Sequence, residues 1–371
     1  MNLQALLLVA ASITARATAE FTVSSGTTEA TTSSTEHVGF VKQWTLNSAT
    51  TGDTIDSIDL DLAGRVYVSY VSGLPSGVLG YVNVSGDSQT VVDAVTVSND
   101  DKNDTDDDND DVNDTDGELN VRIGNSTSAT LSGYLLTEIF LASSGLVTDI
   151  KSQRSAQVVV EDGVLVSSST TAELQVEASG SSAVYVSAAS TAVSVRQLQL
   201  DAAGTASLQF NVESVSATEE AQLDAQGSAA ISVLASSVEA ATLELDAQNT
   251  GTICINSQTV TAANYEGQDA SRISMPNASS KYTSTGSFAC DDSSAPAREP
   301  ACVSSACADS SNSGTTVGTA GSGTSTTSTT VTTAPTTAND DDVSDDTNAS
   351  SAPRLAALAA AVIGAATVVL L

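Results

Sequence analysis

The chain has few cations: 12 Lys and Arg against 45 Asp and Glu in 371 residues, for a net charge of −33. Too few positive side chains are present to neutralise a phosphate track, which excludes a nucleic-acid partner. Aromatic residues are only 4% of the chain although hydrophobic residues reach 40%. The apolar content is mostly Ala and Val, so any core consists of small and β-branched side chains. A single histidine, His37, lies far in sequence from the four cysteines, which argues against a metal site. No G-x-S-x-G nucleophile motif is present, and Arg196 is the lone base among the repeats described below. No catalytic, cofactor or metal residue is therefore assigned.

Both ends carry targeting signals. Leu3 to Ala11 is an apolar run, followed by the small-residue site Ala17-Thr18-Ala19. This predicts a signal peptide over 1–19, although its start lacks Lys and Arg. At the other end, Leu355 to Leu371 is apolar apart from Thr367, and small residues precede it from Asn348. Small residues followed by an apolar tail predict a GPI-attachment signal over 349–371, with Asn348 as the attachment residue. The polar spacer is short for such a signal. An uncleaved tail anchor is the alternative.

Secretion agrees with other features. Sequons occur at Asn83, Asn103, Asn113, Asn125, Asn277 and Asn348, and Asn83, Asn125 and Asn277 are the preferred glycosylation sites. Cys254, Cys290, Cys302 and Cys307 form an even set, consistent with two disulfides and open to three connectivities. Cys302 and Cys307 are close enough to pair locally, which would leave Cys254 and Cys290 to pin the end of the folded region.

The composition divides what remains. Residues 20–36 are rich in Ser and Thr and read as a flexible leader. A folded domain is expected over 37–285. It contains an acidic loop at 99–117, whose Asp and Asn residues offer oxygen ligands but lack EF-hand spacing. A Cys-containing segment follows at 286–308, then a disordered, Ser/Thr-rich stalk at 309–348 of the kind that carries O-glycans.

The repeat decides the fold. LQVEASGSSAVYV from Leu174, LQLDAAGTASLQF from Leu198, AQLDAQGSAAISV from Ala221 and LELDAQNTGTICI from Leu243 align without gaps. Each has an apolar-polar-apolar triplet, an acid (Glu177, Asp201, Asp224, Asp246), a turn residue (Gly180, Gly204, Gly227, Asn249) and a second alternating triplet. Gly and Asn are the residues that tolerate positive φ. Extended backwards, the same pattern places turns at Gly145 and Gly163. Alternation with period two and turns at this interval predict an all-β, right-handed parallel β-helix, or β-solenoid. Val176, Leu200, Leu223 and Leu245 would form one inward column, and Val186, Phe210, Val233 and Ile255 another. The acids would form a ladder facing water. A leucine-rich repeat fits less well, because its asparagine position holds Ala203, Gln226 and Gln248. Ile58 to Leu62, Val66 to Val68, Gly80 to Val84 and Glu118 to Ile123 read as earlier strands.

This layout resembles the auto-transporter adhesin head GIN domain family. Leu136-Thr137-Glu138-Ile139 and Ala142-Ser143-Ser144-Gly145 fit its characteristic strand and turn, and Ala178-Ser179-Gly180-Ser181 continues the series. The full S-G-S-G-D turn is degraded, and the acidic loop is an insertion. The resemblance implies a right-handed β-helix on an exported protein, with no established catalytic residues.

The expected function is a GPI-anchored surface glycoprotein with a structural or adhesive display role and no catalysis. It would sit on the outer face of the plasma membrane or in the cell wall. Its partners would be the membrane, through a glycolipid, and cell-wall glycans or surface proteins. Two alternatives are a β-helix enzyme acting on cell-wall polysaccharide and a non-specific charged shield.

Overall fold

The structure is a computed structural model, and it describes residues 21–99, 117–124, 131–282 and 286–304. The signal peptide, nearly all of the acidic loop, Asn103, Asn113, Asn125, Cys307, the stalk, Asn348 and the apolar tail lie outside these residues.

The chain begins with β1 (Thr22–Ser25), β2 (Glu29–Ala30) and β3 (Phe40–Asn47). Next come β4 (Ser57–Leu62), β5 (Arg65–Tyr70), β6 (Val78–Gly86), the short helix α1 (Gln89–Asp93) and β7 (Val95–Asn99). After the acidic loop come β8 (Glu118–Ile123), β9 (Tyr134–Leu141), β10 (Asp149–Arg154) and β11 (Gln157–Glu161). The repeats supply β12 (Ser168–Ala178), β13 (Ala183–Ala202), β14 (Ser207–Ala225), β15 (Ala230–Leu234), β16 (Ser237–Ala247), β17 (Thr252–Asn256) and β18 (Thr259–Gln268). The described chain closes with β19 (Ile273–Ser274), α2 (Ser279–Tyr282) and β20 (Ala301–Cys302).

These strands form a parallel β-solenoid, as the repeat predicts. On its first face the neighbours run β8, β4, β10, β12, β13, β14, β16 and β18, all parallel. On its second face they run β9, β5, β11, β13, β14, β15, β17 and β19, again parallel. β13 and β14 are long because each runs through one face, round a corner and into the next. The corner creates a third, shorter face, where Val193, Val215, Val238 and Val260 stack.

Both inward columns are present. Leu119, Ile58, Ile150, Val176, Leu200, Leu223 and Leu245 stack behind the first face, each no more than 2% exposed. Ile139, Val68, Val160, Val186, Phe210, Val233 and Ile255 stack behind the second. No coil can bury these residues alone; stacking supplies the cover. The turns stack just as closely. A Cβ on Gly204 would lie 2.7 Å from the Gly180 carbonyl oxygen, and one on Gly227 would lie 2.8 Å from that of Gly204. Gly180, Gly204, Gly227 and Asn249 all have positive φ.

Two of the expected turns belong elsewhere. Gly145 and Gly163 stack on each other at a different corner, with the Gly145 amide donating to the Gly163 carbonyl at 2.9 Å. Ile139 and Val160, which lead to them, align with Val186 and not with Val176. The residue beneath Gly180 is Arg154, also at positive φ. Its coil is hard to see in sequence because Ser152 stands where the next coil has Ala178, and Arg154 where it has glycine.

Chain order and stacking order also differ at the start. β4 and β5 are sandwiched between β8 and β9 on one side and β10 and β11 on the other. The segment 20–36, expected to be a flexible leader, supplies β1 and β2, which pair with β3, and Phe21 is fully buried.

Candidate functional site

The second face extends beyond the solenoid. β9 pairs antiparallel with β6, β6 with β3, and β3 with β1. One continuous sheet therefore runs from β1 to β19, and its outer surface is partly covered and partly open.

Residues 286–304 cover it. This strap runs backwards across the coils from the last to the first. The Ser274 hydroxyl donates to the Phe288 carbonyl at 2.7 Å, and the Cys254–Cys290 disulfide ties the strap to β17. Gln209 Nε2 donates to the Asp291 carbonyl at 2.9 Å, and the Asp291 amide donates to Ser232 Oγ at 3.0 Å. Ala295 packs on an outward apolar patch of Tyr67, Leu136, Val159 and Tyr185. Arg65 then donates to the Ala297 carbonyl at 2.7 Å, and β20 pairs antiparallel with β9. The Val303 amide ends on the Gly133 carbonyl at 3.0 Å, at the end of the solenoid that holds the N-terminal strands. Cys302 is also in a disulfide; its expected partner Cys307 is outside the described residues. The strap was not foreseen, because it has no repeat of its own. Its backbone is satisfied by side chains of the coils it crosses.

Arg298 fastens the far end. Its guanidinium bonds Glu161 at 2.6 Å, Ser69 at 2.9 Å and Glu138 at 3.4 Å, and lies 4.6 Å from the Tyr67 ring. Burial pushes the Glu138 carboxyl above its ordinary range, against the pull of Arg298.

Beyond Arg298 no described segment covers the sheet, and a groove of about 670 Å³ opens over β1, β3, β6 and β9. Alternation puts Gln43 and Thr45 of β3, Asn83 and Ser85 of β6, and Glu138 of β9 on its side of the sheet. Asn83 pairs in register with Gln43 on one side and Glu138 on the other. Gln43 Nε2 donates to Asn83 Oδ1 at 2.8 Å. The Lys42 ammonium lies 4.6 Å from the ring of the buried Trp44, on the opposite side of β3. The connection from β1 to β2 forms a wall. There the Gly26 amide donates to the Gln43 carbonyl at 2.8 Å, and a Cβ at Gly26 would come within 2.9 Å of that oxygen.

Among the described residues no strap crosses the first face. Its outward ladder runs Asn120, Asp59, Lys151, Glu177, Asp201, Asp224, Asp246 and Gln268. The expected acids are therefore adjacent, on strands just before the turns. At one end Arg122 pairs with Asp59 at 3.3 Å, and Arg154 pairs with Asp61. Further along, glutamines act instead of cations. Gln199, Gln226 and Gln248 donate to Asp201, Asp224 and Asp246 at 2.7, 3.0 and 2.8 Å. Asp201 is pushed up to about 6, first by burial and then by the neighbouring Asp224 and Glu177 carboxylates. No cluster of metal-ligating side chains occurs among the described residues.

The structure brings only some of the candidate residues together. Asn83 lies mid-strand in the groove. Asn277 is exposed near the last coil, where its Nδ2 donates to the Ser257 carbonyl at 2.9 Å. Cys254 and Cys290 are bonded, as the local pairing of Cys302 with Cys307 implies.

No family model and no curated protein matches the chain. Among solved structures, a candidate adhesin from Parabacteroides distasonis is similar at 12% identity, over 63% of this chain and 95% of that one, with a TM-score of 0.33. A candidate adhesin from Parabacteroides merdae is similar at 13% identity over the same shares, with a TM-score of 0.26. At these scores the likeness does not bear on function.

Proposed function

We propose that this chain is a surface-displayed, GPI-anchored glycoprotein whose solenoid head has an adhesive or structural role and performs no catalysis. The observation that carries this reading is the strap. A disulfide-pinned segment closes the head and delivers the chain at Ser304 to the end that holds the N-terminal strands. The Ser/Thr-rich sequence follows Ser304, so the tether would leave the head at the end that holds the N-terminal strands. The signal-like start, the sequons and the apolar tail support the same route, as does the resemblance to exported β-helix proteins.

The test is phospholipase C treatment of intact cells expressing the full chain, followed with an antibody against the head. Release into the medium is expected. Retention, with residues 355–371 still present in the mature chain by mass spectrometry, would contradict the anchor. A second reading, a polysaccharide-cleaving enzyme, is favoured only by the burial-raised Glu138 carboxyl at the groove. Product release from cell-wall polysaccharides that is lost in Glu138→Gln would establish it in place of pure display.

A further inference from the structure

We infer that the groove over β3, β6 and β9 is a carbohydrate-binding site for neutral glycans, with Asn83 and Glu138 making the central contacts. This deepens the display reading by giving the head a ligand class and a place to hold it.

The chemistry of the floor selects the ligand. Asn83 Oδ1 is taken by Gln43, so the Nδ2 donor is left facing the groove. Glu138 gives one oxygen to Arg298, which leaves the other as an acceptor. A donor and an acceptor side by side on neighbouring strands match adjacent sugar hydroxyls, each of which both donates and accepts. Gln43, Ser85 and Thr45 add further hydroxyl and amide partners around them.

Charge narrows the class. Among the described lining residues the charged ones are Glu29, Glu138 and Lys42; Glu138 is already paired with Arg298, and the Lys42 ammonium lies over the Trp44 ring. No cluster of cations among the described lining residues is set to receive a phosphate, sulfate or sialate, so neutral sugars are the better match. The polar lining disfavours lipid. Tyr81 and Phe140 pair two residues along the strands on the same side of the sheet, outside the groove lining.

The site is also held rigid. β6 is bonded to β3 and β9 along its length, so Asn83 cannot shift without breaking a ladder. Arg298 fixes Glu138 from the strap. Preorganisation of this kind reduces the ordering cost of binding, and the volume lies within the usual range for small-ligand sites.

The same geometry sets up an alternative fate for Asn83. Its Nδ2 is the atom that N-glycosylation would modify. A glycan there would fill the groove with the chain's own sugar and block an incoming ligand.

The experiment uses the full chain, produced through a secretory pathway and purified in detergent. It is applied to an array of neutral, sialylated and sulfated oligosaccharides, and the strongest neutral binder is then titrated by calorimetry. Saturable binding to neutral glycans is expected, unchanged by EDTA. Asn83→Ala and Glu138→Gln should each weaken it by about tenfold or more. Gln222→Ala, on the first face, should leave it unchanged. Melting curves identify any variant that fails to fold. Four outcomes would overturn the proposal: no saturable neutral binder, binding only to acidic glycans, affinity indifferent to Asn83→Ala and Glu138→Gln in folded protein, or a peptide mass showing Asn83 fully glycosylated. None of these depends on the anchor. Glycan binding without phospholipase release would contradict the display reading alone, and release without glycan binding would contradict the groove alone.

Discussion

The two large faces of the solenoid obey the same alternation and end up in opposite states. On the second face the outward column includes Tyr67, Val159 and Tyr185, and the strap covers it. On the first face the matching column carries Glu177, Asp201, Asp224 and Asp246, and among the described residues no strap crosses it. Inward positions make the coils stack; outward positions decide what each sheet can accept as cover. Apolar outward residues accept a chain segment whose backbone is satisfied by Gln209, Ser232 and Arg65. A carboxylate ladder accepts water and amide donors.

Perturbations rank by how much of this arrangement each one removes. The largest effect is expected from Phe210→Ala, because Phe210 is fully buried between Val186 and Val233 in the second column. A loss of about 3–5 kcal/mol is expected in denaturant unfolding. A loss below about 1 kcal/mol would mean that the coils do not stack in this register.

Cys254→Ser separates the faces more selectively. It frees the strap from β17, and a loss of about 2–4 kcal/mol is expected. New protease cleavage should appear between Gly286 and Ser304 while the coils stay resistant. Cleavage within β12 to β16 instead would show that the strap does not act as a distinct segment.

Asp201→Asn probes the uncovered face. The folded state raises the Asp201 carboxyl to about 6, above its ordinary value of 3.8. The folded form therefore holds the proton more tightly than the unfolded chain. Its favourable contribution is complete below about 3.8 and is lost as pH rises through about 6. Asparagine should raise stability by about 1 kcal/mol at pH 7.5, since partial exposure discounts the shift. It should change little at pH 3.5. Equal effects at both pH values would remove ionisation as the cause.

The smallest change is expected from Asn249→Gly. Asn249 has φ 59° in a column of glycines, so glycine should be neutral or stabilising by a few tenths of a kcal/mol, roughly. A clear loss in thermal unfolding would mean that the Asn249 side chain contributes a contact of its own.

The repeats from Leu174 to Ile255 were legible because alternation, a turn residue and a second alternation recur together. Their inward columns and turns follow directly. What sequence could not convey is which distant strands become neighbours. Nothing in Ile58 to Leu62 indicates that it lies between Leu119 and Ile150, because parallel pairing carries no local marker. Gly145 and Gly163 misled because a glycine after an apolar triplet occurs at two different corners. β1 and β2 were hidden in Ser- and Thr-rich sequence, where only Phe21 and Val23 hint at cover. Asn83 was legible as a sequon, but its place between Gln43 and Glu138 depends on β6 joining β3 to β9.

The most direct test of the strapped solenoid is hydrogen exchange on the oxidised full chain and on Cys254→Ser. In the oxidised chain the amides of Asp291 and Val303 should be protected, together with those of Leu200 to Ala202. Loss of the disulfide should raise exchange in the strap and leave Leu200 to Ala202 protected. If the strap amides of the oxidised chain exchange as fast as a free peptide, the covered face does not exist and the account fails.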